Sequence, residues 1–435
     1  MIELKANNRV NSGQIHLPES FTRRLVSRKL QLCVGTKKIN LSISGHKSGI
    51  HVNPQDLHLL GIPDGIKWRY RYRSDRQQLL LGPYLGIITT LPTTPEKDRP
   101  FGNRTGAYRE ISKIAAETGG LVAVFTPQTL EASSEMVNAQ MYKREWHTVQ
   151  LPRPLVFYNR IPTRRLENNH LPTLSRLEGK GHIIFNTRFI NKPEVYAALQ
   201  SNSVLNTYLP ETHPLTEETL SYFINKGSSF FLKPGSSALG KGIIKVEADG
   251  HSWKCLRQEK TRLIKYPPKQ ADALRRLLLG FCRGRNYLIQ QAVPLAGNQG
   301  RVFDLRCLLQ KDGHGQWDFI GLGARVSAPG LYLTHVPNGG EVWSAERAIA
   351  WSFGKDKEPG PENLHSLLVD AATLLEKRLG IHLAMLSADV GLTTDGHPYI
   401  LELNSKPQRF DETVIRMSSH RHLLDYAGFL EGITS

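Results

Sequence analysis

Phe230-Phe231-Leu232-Lys233-Pro234-Gly235-Ser236-Ser237-Ala238-Leu239-Gly240-Lys241-Gly242-Ile243-Ile244-Lys245-Val246 is the stretch from which the rest of the chain is read. An aromatic and aliphatic run delivers one lysine, a Gly/Ser segment follows, and a β-branched run resumes: the order of strand, loop and strand. Glycines let backbone N–H groups approach phosphate oxygens closely, while hydroxyls and lysines add charge-assisted bonds. Gly235 through Lys241 also matches the start of a P-loop, Gly-x-x-x-x-Gly-Lys, but Gly242 stands where a Ser or Thr must hold magnesium. A P-loop also needs a helix next, and Ile243–Val246 suits a strand. Alone, the segment reads equally well as an ordinary hairpin, so its meaning depends on what accompanies it.

Toward the C-terminus, Leu364, Leu367, Leu368, Ala371, Leu374, Leu375 and Leu379 follow the helical period and stop at Gly380, which predicts an amphipathic core helix. Beyond it, Leu386–Leu392 and Pro398–Asn404 read as strands joined by the turn Thr394-Asp395-Gly396-His397. Glu402 and Asn404 are two apart and project from one face, and an antiparallel partner places Asp389 beside them. Two carboxylates and an amide oxygen form a hard-oxygen set suited to Mg²⁺, which takes its remaining ligands from water and phosphate. Isolated Glu-x-Asn pairs are common on exposed strands; here the phosphate-type loop upstream gives the pair its meaning.

Toward the N-terminus, Thr216 as N-cap, glutamates after it and Gly227 frame one helix, and another opens near Pro193. A strand at Gly82–Thr89, a helix over Tyr108–Thr118 and a strand at Leu121–Phe125 predict a parallel α/β unit that ends near Val156–Arg160. Ile161 to Lys180, rich in Pro, Arg and Asn, reads as connection. Residues 1 to 80 carry short strands such as Leu30–Val34 and Ile39–Ile43 between Gly and Lys turns.

The 435 residues carry a net charge of +17, and residues 1 to 80 alone hold fourteen Lys/Arg against five Asp/Glu. In Lys67-Trp68-Arg69-Tyr70-Arg71-Tyr72-Arg73 the alternation puts cations on one face of a strand and aromatics on the other. Either an acidic polymer or protein docks there, or the strand has a solvated basic face over a small aromatic core. Cys33, Cys255, Cys282 and Cys307 lack metal-site spacing and read as small buried side chains. No run approaches the roughly 20 apolar residues of a membrane span, and Met1–Lys5 lacks a signal peptide's apolar run, so a cytoplasmic protein is expected. Neither a Ser/His/Asp nucleophile elbow nor a His-Glu-x-x-His zinc motif occurs.

The strand lysine, the Gly/Ser loop and the terminal Asp…Glu-x-Asn resemble the ATP-grasp superfamily. The order of the whole chain, with Gly82-Pro83…Gly86-Ile87 and Tyr158-Asn159-Arg160-Ile161-Pro162, resembles its YheC/YheD group of endospore coat-associated proteins. The resemblance implies an α/β (α+β) chain with an ATP-grasp fold whose two α+β subdomains grip ATP. It divides the chain into a small basic β-rich domain over 1–80, a Rossmann-like pre-ATP-grasp domain with linker over 81–180, and grasping subdomains over 181–290 and 291–435. Lys192 and Lys233 then correspond to the lysines on the nucleotide phosphates, and Gly235, Ser236, Ser237 and Gly240 to the phosphate lid. Gln290, Gln291 and Val293 correspond to the linker along the adenine edge. Arg325, with Arg306 of Asp304-Leu305-Arg306, corresponds to the cations that neutralise the transferring phosphoryl group, and Asp389, Glu402 and Asn404 to the magnesium ligands. The implied reaction is ADP-forming carboxylate–amine ligation through an acylphosphate, on an amino acid or peptide, in a cytoplasmic or spore-coat setting. An ATP-binding coat-assembly scaffold and an ATP-grasp kinase are the alternatives. His335 stands where relatives often carry Asn, and no acidic residue for the ribose is evident after Val293.

Overall fold

The computed structural model describes residues 1–433 apart from 24, 26, 237–239, 251 and 355–362. Ser237, expected in the phosphate lid, lies outside the described residues. Four β-sheets follow one another along the chain. Seven strands between Ile2 and Gly82 close into a barrel, with Ile2–Ala6 pairing antiparallel to Lys67–Arg73 at the seam. Trp68 and the alternate residues of its neighbours fill the barrel. On the cationic face of Lys67–Arg73, Lys67 is exposed and the three arginines are half-buried. Arg69 pairs with Asp425 of the last helix and donates to the Thr118 carbonyl (2.9 Å), so this residue ties the barrel to the rest of the molecule.

The second sheet runs Tyr84–Ile88, Leu121–Phe125, Val156–Asn159 and Ile183–Phe185 in parallel, with an antiparallel edge made by Met136–Lys143 and Glu145–Pro152. The boundary expected at residue 180 falls inside this sheet. Residues 164–179, expected as connection, are a helix capped by Thr163, and Leu174 and Leu177 are buried on one face. Pro172 in its third turn made the stretch read as broken, yet proline removes one N–H without forbidding a helix that tertiary packing supports.

The third sheet is wholly antiparallel, in the order Thr212–Pro214, Tyr287–Gln291, Phe230–Pro234, Ile244–Asp249, Ser252–Glu259 and Arg262–Lys269. Helices Glu217–Lys226 and Ala271–Cys282 pack their apolar sides against it. Phe230–Pro234 and Ile244–Asp249 form the expected strand–loop–strand, so the P-loop alternative falls. The fourth sheet, also antiparallel, runs Glu341–Ser344, Trp317–Val326, Arg301–Lys311, Met385–Leu392 and Pro398–Asn404. One of its faces is buried under helices Leu364–Leu379, Ala345–Phe353 and Lys192–Gln200, so the last of these belongs by packing to the C-terminal sheet, not to the 212–291 sheet.

The other face of that sheet is divided. Helix Thr413–Leu430 covers the end bearing Leu308 and Gln310: Leu308 joins Ile415 and Leu423 in a shared core, and Gln310 exchanges hydrogen bonds with Ser419 (3.0 and 2.8 Å). The opposite end, at Asp304 and Arg306, is left uncovered and faces the third sheet. All four cysteines are buried thiols.

Candidate active site

The site is built on that open end of the fourth sheet. Arg306 lies opposite Asp389, and Asp389 lies opposite Glu402, so three neighbouring strands place the three residues in one lateral row on one face. Asp304, two residues before Arg306, faces Arg325 across the next strand pair and extends the row on the same face. Asn404 sits two residues beyond Glu402, opposite Ser387. The register slips between Asp389 and Val390, so Leu401 is an extra residue in its strand. That bulge turns both Leu401 and Glu402 toward the cleft, a common use of bulges beside working residues.

The carboxylates of the row are tightly held. Asp304 accepts from Arg325 Nε (3.1 Å) and from the Thr334 hydroxyl, Asp389 accepts from Arg325 Nη2, and Glu402 pairs with Lys192 Nζ at 2.6 Å. Burial pushes the Asp389 carboxyl upward, but Arg325, His335, Arg306 and Lys192 together outweigh it and hold the group below the ordinary carboxylate range. Burial alone would lower the Arg325 guanidinium, yet Asp304 and Asp389 outweigh it and keep the charge fixed. Arg306 donates to the carbonyls of Gln408 (2.6 Å) and Arg409 (3.3 Å) and lies over the Phe410 ring.

Lys233 reaches the same place from the third sheet. It shares a cavity of about 530 Å³ with Asp304, Asp389 and Glu402, and among the described residues no carboxylate lies within ion-pair distance of it. Burial in the cleft, reinforced by the Lys192 ammonium, brings its pKa down to about 8. A cation left without a partner in a cleft is a physical signature of an anionic ligand.

The lid and linker residues divide. The Gly235 N–H already donates to the Asn286 carbonyl (2.9 Å), and its carbonyl accepts from the Lys192 N–H (3.3 Å), so Gly235 anchors the loop to the helix that begins at Lys192. Ser236 is exposed and lines the cleft. Gly240 is left-handed (φ 70°), and a Cβ there would stand 3.0 Å from Leu333 and 3.3 Å from Asn338, so the loop's far end rests on the segment before the Glu341–Ser344 strand. Gln290, expected among nucleotide contacts, lines the 530 Å³ cavity, while its Nε2 donates to Thr212 Oγ1 (2.9 Å) and the Tyr196 hydroxyl. Gln291 and Val293 line the 530 Å³ cavity beside Phe231 and Leu295, a largely apolar wall.

A second cavity, of about 740 Å³, meets the first at Asp389, Glu402 and His335. Its lining carries Arg164, Arg165, Lys192, Arg306, Arg325, Lys406 and Arg409 against Asp389, Glu402, Asp411 and Glu412, seven cations to four carboxylates. Two contributors, Lys406 and Arg164, were not singled out from sequence, and a third, His335, was named for another reason. Lys406 and Glu167 form a buried ion pair across 239 residues, and Glu167 also accepts from Asn159 Nδ2 (3.0 Å) and the Phe189 N–H (2.8 Å). Arg164 opens the helix that had been read as connection. His335 was noticed only as a departure from the family pattern; it stands at the junction with a buried Nδ1 that has no partner among the described residues. Lys406 follows directly on Asn404-Ser405, so its nearness to the metal-type residues was the signal available.

Comparisons with known proteins give the chain its family. Residues 181–430 match the family model described as YheC/D like ATP-grasp. Over 340 residues the chain is 26% identical to the endospore coat-associated protein YheD of Bacillus subtilis (strain 168), covering 76% of this chain and 73% of that protein. Over 323 residues it is 24% identical to YheC of the same organism, covering 71% and 86%. Among solved structures, the ATP-grasp ligase PsnB complexed with minimal precursor is similar at 15% identity and a TM-score of 0.43, covering 74% of this chain and 91% of that one. D-alanyl-alanine synthetase A from Vibrio cholerae is similar at 12% identity and a TM-score of 0.43, covering 81% and 97%. With the family model matching more than half of its length, the chain belongs to the YheC/D-like ATP-grasp family and has the ATP-grasp fold.

Proposed function

We propose that the chain is an ATP-dependent carboxylate–amine ligase. The γ-phosphoryl group passes from ATP to a carboxylate oxygen, and an amine then attacks the acyl carbon. Phosphate departs, the amine loses a proton, and an amide bond remains. The observation that carries this reading is Lys233, an ammonium that shares the 530 Å³ cavity with Asp389 and Glu402 and has no carboxylate within ion-pair distance among the described residues. The cavity with apolar walls suits a nucleotide base, and the cationic one gives an acceptor a place of its own; a protein that only binds ATP needs no second cavity.

In this account Lys233 and Lys192 hold the phosphates, and Arg325 and Arg306 stabilise charge on the phosphoryl group as it moves. Ser236, exposed at the cleft, adds a hydroxyl to the phosphates, and keeping water out of the cleft protects an acylphosphate from hydrolysis. The oxygens of Asp389, Glu402 and Asn404, on one face of adjacent strands, fit magnesium in donor type, with phosphate and water supplying the rest of the shell. Bound there, magnesium would supply charge neutralisation between phosphate oxygens. We place this activity in spore-envelope or coat modification, consistent with the names of the two relatives. No helix among the described residues is long and apolar enough to cross a membrane.

The test is ADP and phosphate release against a panel of amino acids and acidic peptides, for the natural protein and Glu402→Ala. Substrate-dependent release that disappears in the variant supports the ligase. Nucleotide binding with no turnover on any substrate returns the scaffold reading, and a stable phosphorylated product identifies a kinase.

A further inference from the structure

The 740 Å³ cavity holds more positive charge than one reacting carboxylate needs. Four of its seven cations already have a carboxylate: Lys192 has Glu402, Arg325 has Asp304 and Asp389, Lys406 has Glu167, and Arg409 has Glu110 at 2.7 Å. Of the three that remain, Arg165 is exposed, and the half-buried guanidiniums of Arg306 and Arg164 donate only to carbonyls among the described residues: Arg306 to Gln408 and Arg409, Arg164 to Ile190. Each has its Cζ over an aromatic ring, Arg306 at 4.1 Å from the Phe410 centroid and Arg164 at 5.3 Å from that of Phe189. Burial depresses the pKa of both, so both carry a desolvation cost that protein charges do not fully offset.

Arg306 belongs to the reacting row beside Asp389. Arg164 does not. It stands on the first turn of helix Arg164–Gly179, on a different wall, and does not line the nucleotide cavity. The carboxylates of Glu167, Glu194 and Glu402 attract Arg164 from beyond ion-pair distance, so a neutral acceptor, or one with a single carboxylate used at the row, leaves its fork without an anion in contact.

We infer that this cavity takes an acceptor with two carboxylates, one presented to the row at Arg306 and Asp389 and a second held by the fork of Arg164. The class is a dicarboxylic amino acid, free or as the acidic end of a peptide. The inference rests on the ligase reading for the fate of the first carboxylate, while the binding preference stands on the cavity alone. Arg164 acts in it as a specificity-determining residue.

The test is calorimetric titration of L-glutamate, the tripeptide Glu-Glu-Glu and L-glutamine into the full chain, with and without ADP and magnesium. In at least one condition glutamate or the tripeptide is expected to bind at least tenfold more tightly than glutamine. A preference shown by the tripeptide alone assigns the peptide source. Arg164→Gln is expected to reduce the preference to under threefold and Arg164→Lys to retain part of it, with circular dichroism checking that each variant folds. Equal binding of all three probes in both conditions, or a full preference in folded Arg164→Gln, overturns the inference. Dicarboxylate preference without ADP release on any substrate defeats the ligase reading and leaves this one standing; turnover on monocarboxylates without that preference does the reverse.

Discussion

Lys406→Met should loosen the joint between the second sheet and the active-site strand. Lys406 and Glu167 are each only 3% exposed at the side chain, so removing the lysine leaves a carboxylate deep in the protein without its counter-charge. Breaking a buried pair from one side costs about 3–5 kcal/mol. The lower end applies here, because Glu167 keeps the Asn159 amide and the Phe189 N–H as donors. About 3 kcal/mol corresponds to a rise of more than 100-fold in the local opening equilibrium. Hydrogen–deuterium exchange read by mass spectrometry on peptides spanning 164–179 and 398–408 measures it directly. Adding Glu167→Gln to Lys406→Met removes the stranded charge and should restore most of the protection. A rise of less than threefold in Lys406→Met would refute the reasoning, since the pair would then be no stronger than an exposed one.

Two further outcomes follow from the same geometry. Lys233 carries its proton below pH about 8 and loses it above, and phosphate binding needs the charged form. The affinity for AMP-PNP should therefore hold at pH 6–7 and weaken by up to about tenfold per pH unit above 8, whereas Lys233→Arg should flatten the profile; a natural protein with equal affinity at pH 7 and 9.5 contradicts this. A Cβ at Gly340 would stand 1.8 Å from the Thr334 carbonyl oxygen, so Gly340→Ala must move the backbone that carries His335. We expect at least tenfold weaker nucleotide binding with circular dichroism unchanged, measured by titration against the natural protein.

The parts of the site that depend on strand period were legible before the fold was known. Glu402 and Asn404 had to share a face, and the turn at Thr394–His397 brought Asp389 across from them. The bulge that adds Leu401 to the cleft left no mark, because a one-residue slip depends on the partner strand. Pro172 concealed a helix whose stability comes from packing, and with it Arg164 and Glu167. The Glu167–Lys406 pair joins residues far apart in the chain, and neither local pattern announces the other. Lys67–Arg73 was correctly read as an alternating strand, but only its surroundings show Arg69 spent on Asp425. Helix Lys192–Gln200 was correctly placed in the chain, while its attachment to the C-terminal sheet depends on long-range packing.

The central claim is that Lys233 and the Asp389–Glu402 row enclose one triphosphate between two sheets. Titration of AMP-PNP with magnesium into the natural protein, Lys233→Met and Glu402→Gln tests it most directly. The account predicts saturable one-to-one binding in the natural protein, weakened at least thirtyfold by either substitution although the two residues lie on different sheets. Binding that is unaffected by both substitutions in folded protein would contradict it.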